Sequence, residues 1–450
     1  MFKTVAVILV CDLFLQGKQD DVLKKLLTEL SYLNYLVKKF SVLHENERIV
    51  TNELKTLSKQ FDIVIVVGKL SNDIIFKALA NITFQDRTEN TKFKAVLDNL
   101  QESNNYQLPV TCKLLTGNDL VYPVIHMQTI FVLNEIYMEN HLNILKKRLA
   151  QYRSETKYKK TVHIQKNGNT SQILDKIKNL QTRMVCQNNS NKISITLEST
   201  NFDDIVEVEK TIQREFSNNL IDSYIINSDL ENIYADPDDR IQQAIEVIEK
   251  GLREYGPHNV FLSFNGGKDC TVLLHLICTV LKAKYPNCKS PIVCLYVRSK
   301  NAFPEQDKFI SQCQTYFNLE VITVTGSIKE ALNKILLMKL NLKACFMGTR
   351  RTDPYSSNLK VFQMSDRDWP QVMRMSPLLD WHYSDIWDYL LYYKVPYCKL
   401  YDMGYTSLGN ASNTVRNPSL LYHDIYLDTE IYLPAYKMLN ENKERSGRNI

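Results

Sequence analysis

Short β-branched runs alternate with stretches of helical spacing along most of the chain. Val5 to Val10 and Ile63 to Val67 are apolar throughout, the mark of strands buried on both faces of a parallel sheet. Between them Val22, Leu26, Leu30 and Leu33 recur at helical spacing within Asp21 to Tyr35, and a second helical stretch, Glu53 to Lys59, leads into the later strand. This rhythm predicts an α/β domain over residues 1–150. Residues 151–232 read as a small α+β spacer of β-α-β-α order. Its strands are Thr161 to Gln165 and Lys192 to Glu198, followed by helices at Ser171 to Leu180 and Asp203 to Phe216, with a polar turn over Cys186 to Asn191.

A third unit covers residues 233–450. Asp236-Pro237-Asp238-Asp239 is a helix-start signal, after which Ile241, Ile245, Ile248 and Leu252 form an apolar stripe. Strands at Asn259 to Ser263, Ile292 to Val297, Glu320 to Val324 and Ala344 to Met347 then alternate with helices at Cys270 to Lys284, Gln306 to Phe317 and Ile328 to Leu340. The alternation predicts a doubly wound, mostly parallel sheet, with Ala344 to Met347 its last strand. Ligands are expected outside the carboxyl ends of the strands.

Composition narrows the function classes. The chain has 450 residues, 44% hydrophobic and 23% charged, the balance of a water-soluble globular protein of two or three domains. A net charge of +5 suits anionic small molecules and is no nucleic-acid footprint, which needs basic residues massed on one face. Lys157, Lys159 and Lys160 read as a solvated loop. Ten cysteines are scattered with no Cys-x-x-Cys pair, as thiols of a reducing compartment are. No apolar run approaches the ~18 residues of a membrane helix. Asp12 breaks the first apolar stretch, which reads as a buried strand and not as a leader. These features make the cytosol the default expectation, with an organelle form left open and neither nucleic acid nor membrane expected as a partner.

The main chemical signal is Ser263-Phe264-Asn265-Gly266-Gly267-Lys268-Asp269-Cys270, set between a strand and a long helix. Paired glycines allow a sharp turn that presents consecutive N–H groups to an anion, and the helix adds its positive end. It is not a Walker A loop: Leu262 stands where the first glycine belongs, and Asp269 follows the lysine. Gly348-Thr349-Arg350-Arg351-Thr352-Asp353-Pro354 follows the fourth strand and brings two guanidinium groups and a carboxylate to the same sheet edge. Pro377-Leu378-Leu379-Asp380-Trp381, a helix over Ser384 to Tyr392, Tyr401-Asp402-Met403-Gly404-Tyr405-Thr406-Ser407-Leu408-Gly409 and Asn413-Thr414-Val415-Arg416-Asn417-Pro418 come next. Ile386, Trp387 and Leu390 read as core. Trp381, Tyr401 and Tyr405 sit in polar loops where a flat heterocycle could stack. The tail Lys443-Glu444-Arg445-Ser446-Gly447-Arg448, taken alone, reads as a solvated end.

The glycine loop resembles the pyrophosphate loop of the N-type ATP pyrophosphatases, the PP-loop or adenine nucleotide alpha hydrolase-like fold. Residues 258–450 as a whole resemble the eukaryotic FAD synthases of the PAPS-reductase-like fold. Asn-Gly-Gly-Lys-Asp-Cys, Gly-Thr-Arg-Arg-Thr-Asp-Pro, Leu-Leu-Asp-Trp and Gly-Tyr-Thr-Ser-Leu-Gly occur in the family's order, and the tail keeps its Arg-x-x-Arg spacing. The resemblance implies AMP transfer from ATP to FMN, giving FAD and pyrophosphate with Mg²⁺, and apo-flavoproteins as recipients of the product. It implies that Asn265, Asp269, Asp353, Arg445 and Arg448 are catalytic. Ser263, Phe264, Asn265, Gly266, Gly267, Lys268 and Asp269 would bind ATP, with Asn265 and Asp269 orienting the metal. Arg350, Arg351, Thr352, Asp353, Trp381, Tyr401 and Tyr405 would form the flavin pocket. The first 150 residues resemble a molybdopterin-binding domain with a damaged ligand loop. Where that family has Gly-Gly-x-Gly and a Thr-x-Asp-Asp run, Val67-Gly68-Lys69-Leu70-Ser71-Asn72-Asp73 is shorter and holds one glycine. A structural or assembly role is expected of it, and a chain begun near Ile233 should carry the activity.

Two rivals share the sheet. A sulfonucleotide reductase needs a nucleophilic cysteine near the C-terminus, yet none follows Cys398, and a tRNA thiolase wants Cys-x-x-Cys sites and a broad basic face. A flavin or nucleotide sensor without catalysis is the reading from another class, and the intact loop and tail arginines weigh against it.

Overall fold

A computed structural model describes residues 4–11, 20–101, 107–116, 122–153, 158–165, 183–188, 192–215, 220–225, 233–424 and 428–448. The first unit carries strands β1 (Thr4–Val10), β2 (Leu36–Leu43), β3 (Ile63–Gly68), β4 (Arg87–Glu89), β5 (Gln107–Pro109), β6 (Lys113–Leu115), β7 (Val124–Met127) and β8 (Ile130–Asn134). Its main sheet runs β2-β1-β3-β8-β7-β6. The first four of these strands are parallel, while β7 and β6 are antiparallel to their neighbours. Val5 to Ile8 and Val64 to Val66 are wholly buried, as uninterrupted β-branched runs demand of a sheet covered on both faces. β2 stands at the sheet's edge, and its paired Lys38 and Lys39 break the apolar run. Such lysines are typical of an edge strand and hide it from a search for apolar runs.

The spacer differs from its expected order. Strands β9 (Tyr158–Gln165), β10 (Arg183–Asn188), β11 (Lys192–Ser199) and β12 (Leu220–Ile225) form one antiparallel sheet in the order β10-β11-β9-β12. Cys186 to Asn188, expected in a turn, lie in the edge strand β10, where one flank has no sheet neighbour among the described residues and a polar sequence is tolerated. The expected helix over Ser171 to Leu180 lies outside the described residues. The helix Phe202–Glu215 packs on the third unit, where Lys160 and Glu209 form a fully buried ion pair and the Lys160 ammonium donates to the Thr315 carbonyl at 2.6 Å.

The third unit contains β13 (Val260–Ser263), β14 (Ile292–Arg298), β15 (Leu319–Thr325), β16 (Ala344–Phe346), β17 (Phe362–Met364) and β18 (Met373–Met375), in the order β15-β14-β13-β16-β18-β17. All are parallel to their neighbours except β17. Ala344–Phe346 is therefore not the last strand. The two that follow are three residues each, too short to show a period. The chain steps outward from β13 through β14 and β15, then returns to the other flank with β16. The loop after β13 and the loop after β16 thus flank the place where strand order reverses, where such sheets bind ligands. A small hairpin, β19 (Leu421–Asp424) with β20 (Thr429–Tyr432), completes the unit.

Units one and three share a charged seam. Asp388, on the helix Tyr383–Tyr392, accepts from Arg148 at 2.8 Å, Lys113 at 3.0 Å and the Tyr152 hydroxyl at 2.6 Å. Burial pushes its carboxyl pKa up, but the two cations overrule it and hold it well below the usual value. Among the described residues, no helix is long and apolar enough to cross a membrane.

Candidate active site

The helix Lys268–Lys284 begins where β13 ends, with Gly267 as its N-cap. Gly266 stands at φ 69°, a left-handed conformation that glycine adopts without the cost of a Cβ. The loop is fastened from both sides. Asn265 Oδ1 accepts from the Gly267 N–H at 3.0 Å, the Asn265 carbonyl accepts from Gln306 at 2.7 Å, and the Lys268 N–H donates to the Tyr401 hydroxyl at 2.9 Å. Phe264, expected beside the nucleotide, sends its ring into the core, and only its backbone belongs to the loop.

Four charges meet behind this turn. The Lys268 ammonium, itself buried, reaches Asp269 Oδ2 at 3.0 Å and Glu444 Oε1 at 2.5 Å. Arg350, 1% exposed, places Nε 2.7 Å from Asp269 Oδ1, and Nη2 donates to both oxygens of Glu444 at 2.7 Å. Two cations and two carboxylates therefore balance within one cluster. Burial works to raise the pKa of Asp269, but Arg350 and Lys268 together hold it below the usual carboxylate value, so the carboxylate is charged at neutral pH. Arg350 Nη1 has no hydrogen-bond partner among the described residues.

The tail covers the loop instead of trailing into solvent. Asn417, fully buried, donates to the Lys443 carbonyl at 2.8 Å. Thr406 donates to the Glu444 carbonyl at 2.5 Å, and the Val415 N–H to the Gly447 carbonyl at 2.8 Å. Arg445 Nη2 then meets Asp353 Oδ1 at 2.9 Å, and Arg448 Nη1 lies 3.3 Å from the Ser407 hydroxyl. The Arg448 guanidinium crosses Gly409 so closely that a Cβ there would lie 2.1 Å from Cζ. Any side chain there would displace the guanidinium from this position. Among the described residues no carboxylate pairs with Arg448, which makes it the site's uncompensated cation.

The structure brings Asn265, Gly266, Gly267, Lys268, Asp269, Arg350, Asp353, Arg445 and Arg448 into one neighbourhood, with Ser263 closing β13 below them. It redistributes the expected flavin pocket. Arg350 is engaged with Asp269 and Glu444. Arg351 turns away to Asp380 at 2.5 Å and to the Ser357 and Leu359 carbonyls. Trp381 is core, its indole N–H donating to the Arg240 carbonyl and its ring packed on Tyr389, so it offers no face to a ligand. Tyr401 is buried, with its hydroxyl accepting from the Lys268 N–H of the glycine loop. Thr352 is exposed, while Tyr405 is half-buried against Phe303. The assignment of a metal to Asn265 and Asp269 does not fit this arrangement. The Asp269 carboxylate already faces two cations, and Asn265 Oδ1 caps the turn. Glu444 escaped the sequence reading because one acid between Lys443 and Arg445 looks like any solvated tail.

Residues 259–416 match the phosphoadenosine phosphosulfate reductase domain family. A probable FAD synthase of Schizosaccharomyces pombe is 40% identical over 214 residues, which are 47% of this chain and 79% of that protein. A probable FAD synthase of Caenorhabditis elegans is 40% identical over 212 residues, 47% of this chain and 40% of that longer protein. A crystal structure of Candida glabrata FMN adenylyltransferase with FMN and an ATP analogue is 27% identical, covering 48% of this chain and 91% of that one with a TM-score of 0.44.

Proposed function

The chain belongs to the FAD synthase family, and from that premise we propose that it is a nucleotidyltransferase that moves AMP from ATP to FMN, releasing pyrophosphate and forming FAD. The observation that carries this reading is the fold-back of the tail, which ties Glu444 to Lys268 behind the glycine loop and lays Arg448 against Ser407 and Gly409 with no carboxylate partner among the described residues. The attacking group is a phosphate monoester whose second pKa is about 6, so it is largely a dianion at neutral pH and needs no general base. What the site must supply is neutralisation: bringing that dianion to the α-phosphorus of ATP sets anion against anion. The loop N–H groups other than those of Gly267 and Lys268, which are held by Asn265 and Tyr401, join the helix N-terminus in meeting the ATP phosphates, and Arg445 and Arg448 meet the charge that builds at the α-phosphate. The Lys268–Asp269–Arg350–Glu444 cluster fixes the geometry of both. Mg²⁺ would arrive on the nucleotide phosphates, since this cation keeps most of its waters and leans on phosphate oxygens. Asp353, Thr352 and Tyr405 remain the residues for the flavin. Offering FMN, riboflavin or sulfate beside ATP tests the reading. FMN alone should yield a dinucleotide, whereas turnover with sulfate or riboflavin in its place would point to a different acceptor. We place the reaction in the cytosol, with apo-flavoproteins receiving the product. The free state of every cysteine whose side chain is described supports a reducing compartment.

For the first unit, we propose a structural role with no pterin chemistry. Asp73, at φ 64°, ends the short loop and is ion-paired with Arg87 and with Lys77 at 3.8 Å. Gly68 is pressed against β1, where a Cβ would meet the Val10 carbonyl at 2.8 Å. The loop's acid is thus spent on Arg87 and Lys77, and the loop has a single glycine to admit a phosphate. Calorimetry of the full chain with a molybdopterin precursor should show no binding. Saturable heat would contradict this role.

A further inference from the structure

The tail that carries Glu444, Arg445 and Arg448 is held at its other end by a different domain. Leu439 packs against the apolar core of the first unit. The Met438 carbonyl accepts from Gln128 Nε2 at 3.1 Å. Glu441 receives Gln85 at 3.4 Å, as well as His382 at 2.9 Å and the Tyr383 N–H at 3.0 Å from the catalytic unit. The firmest contact is Lys437. The residue is 9% exposed, and its ammonium donates to the Ser58, Phe61 and Asp62 carbonyls, at and just beyond the C-terminal end of the helix Glu47–Gln60. A helix end of this kind leaves carbonyls unpaired and carries partial negative charge, so a lysine there is doubly favoured. No substrate motif lies near this contact, and the proposed chemistry makes no use of it.

We propose that the first domain is the platform that positions the catalytic tail, with Lys437 as its anchor and as a positioning residue for AMP transfer. The inference rests on the FAD-synthesis reading for its kinetic consequence, but not for the contact itself. A chain terminus is ordered only where it is tied down. This one is tied at Lys437 and Met438 to the first domain, and at Glu444 to the phosphate-loop cluster. The segment between these ties sets where Arg445 and Arg448 stand. Loosening the far tie keeps every reacting group in the chain but lets the two arginines wander, and small misplacements of such groups are costly in rate. The motifs beyond Asn259 still contain all of the proposed chemistry, so a chain begun near Ile233 should make FAD slowly, not fail to make it.

The test uses the full chain with Lys437→Met, which keeps an unbranched stem and removes the ammonium, and Gln128→Ala, which removes one donor from the first domain. Steady-state kinetics run well below each variant's Tm, beside hydrogen exchange of the tail amides in the absence of substrate. For Lys437→Met, kcat should fall ~10-fold or more through misplacement, with KM for FMN within about twofold and faster exchange across residues 441–448. Gln128→Ala should shift both readouts in the same direction by less, and Lys437→Arg should restore part of the rate. Wild-type kcat and unchanged tail exchange in Lys437→Met, with only Tm lowered, would reduce Lys437 to a structural contact and overturn the proposal. If the wild-type chain made no FAD, the functional reading would fail separately, and tail exchange alone would still judge the anchor.

Discussion

Replacing Arg448 with alanine is expected to lower kcat by roughly 10³-fold, the scale of a transition-state arginine in phosphoryl transfer, while FMN affinity changes little. Among the described residues its guanidinium is the one in the site without a carboxylate partner, held by the Ser407 hydroxyl and laid across Gly409. Burial and the neighbouring Arg445 depress its pKa, as expected of a guanidinium beside a like charge that Asp353 already pairs. Lysine should replace it poorly, because it lacks the planar fork that meets two phosphate oxygens. Gly409→Ala should reproduce part of the loss with Arg448 still present, since a Cβ would occupy the space of the guanidinium. Near-normal kcat for Arg448→Ala at saturating ATP and FMN would return the tail to a solvated end that merely rests on the site.

Asp269→Asn should cost on the order of 10²-fold in kcat, as for loss of one preorganised electrostatic group. The carboxylate holds Lys268 at 3.0 Å and Arg350 at 2.7 Å. Neutralising it leaves two buried cations sharing Glu444, so both can shift towards that acid and pull the loop and tail out of register. The competing explanation is that Asp269 only favours the helix start. Gly267 occupies the cap position and Asp269 lies within the first turn. A role limited to that turn would cost about 1 kcal/mol or less of stability and almost no rate. Tm and turnover measured on the same variant separate the two: a stability loss with turnover within a few-fold of wild type would remove Asp269 from the catalytic account.

The strands of the two parallel sheets were legible where burial on both faces demands an unbroken apolar run, as at Val5 to Val10 and Ile292 to Val297. Legibility failed at edges. β2 carries Lys38 and Lys39, β10 is polar enough to pass for a turn, and β17 and β18 are too short to show a period. The glycine loop could be read because Asn-Gly-Gly-Lys-Asp stands whole at a strand-to-helix junction, whereas a bare glycine pair would read as an ordinary turn. The Arg-x-x-Arg tail could be read only through a family resemblance, since its composition alone suggests solvent. Residues whose role depends on distant partners could not be read at all. Glu444 acquires its meaning from Lys268 and Arg350, and Lys437 from three carbonyls near the end of a helix in another domain. The aromatic residues erred in the opposite direction. Trp381 stands in a polar stretch, yet its indole packs inward on Tyr389, because a large ring is held more favourably by a core than by an exposed loop.

The central claim is tested most directly by incubating the full chain with ATP, FMN and Mg²⁺ and quantifying FAD and pyrophosphate together. The account predicts that both accumulate in equal amounts, that neither forms when FMN is omitted, and that Arg448→Ala suppresses the two in parallel. Pyrophosphate released without FAD, or tight binding of both substrates with no product of either kind, would contradict it.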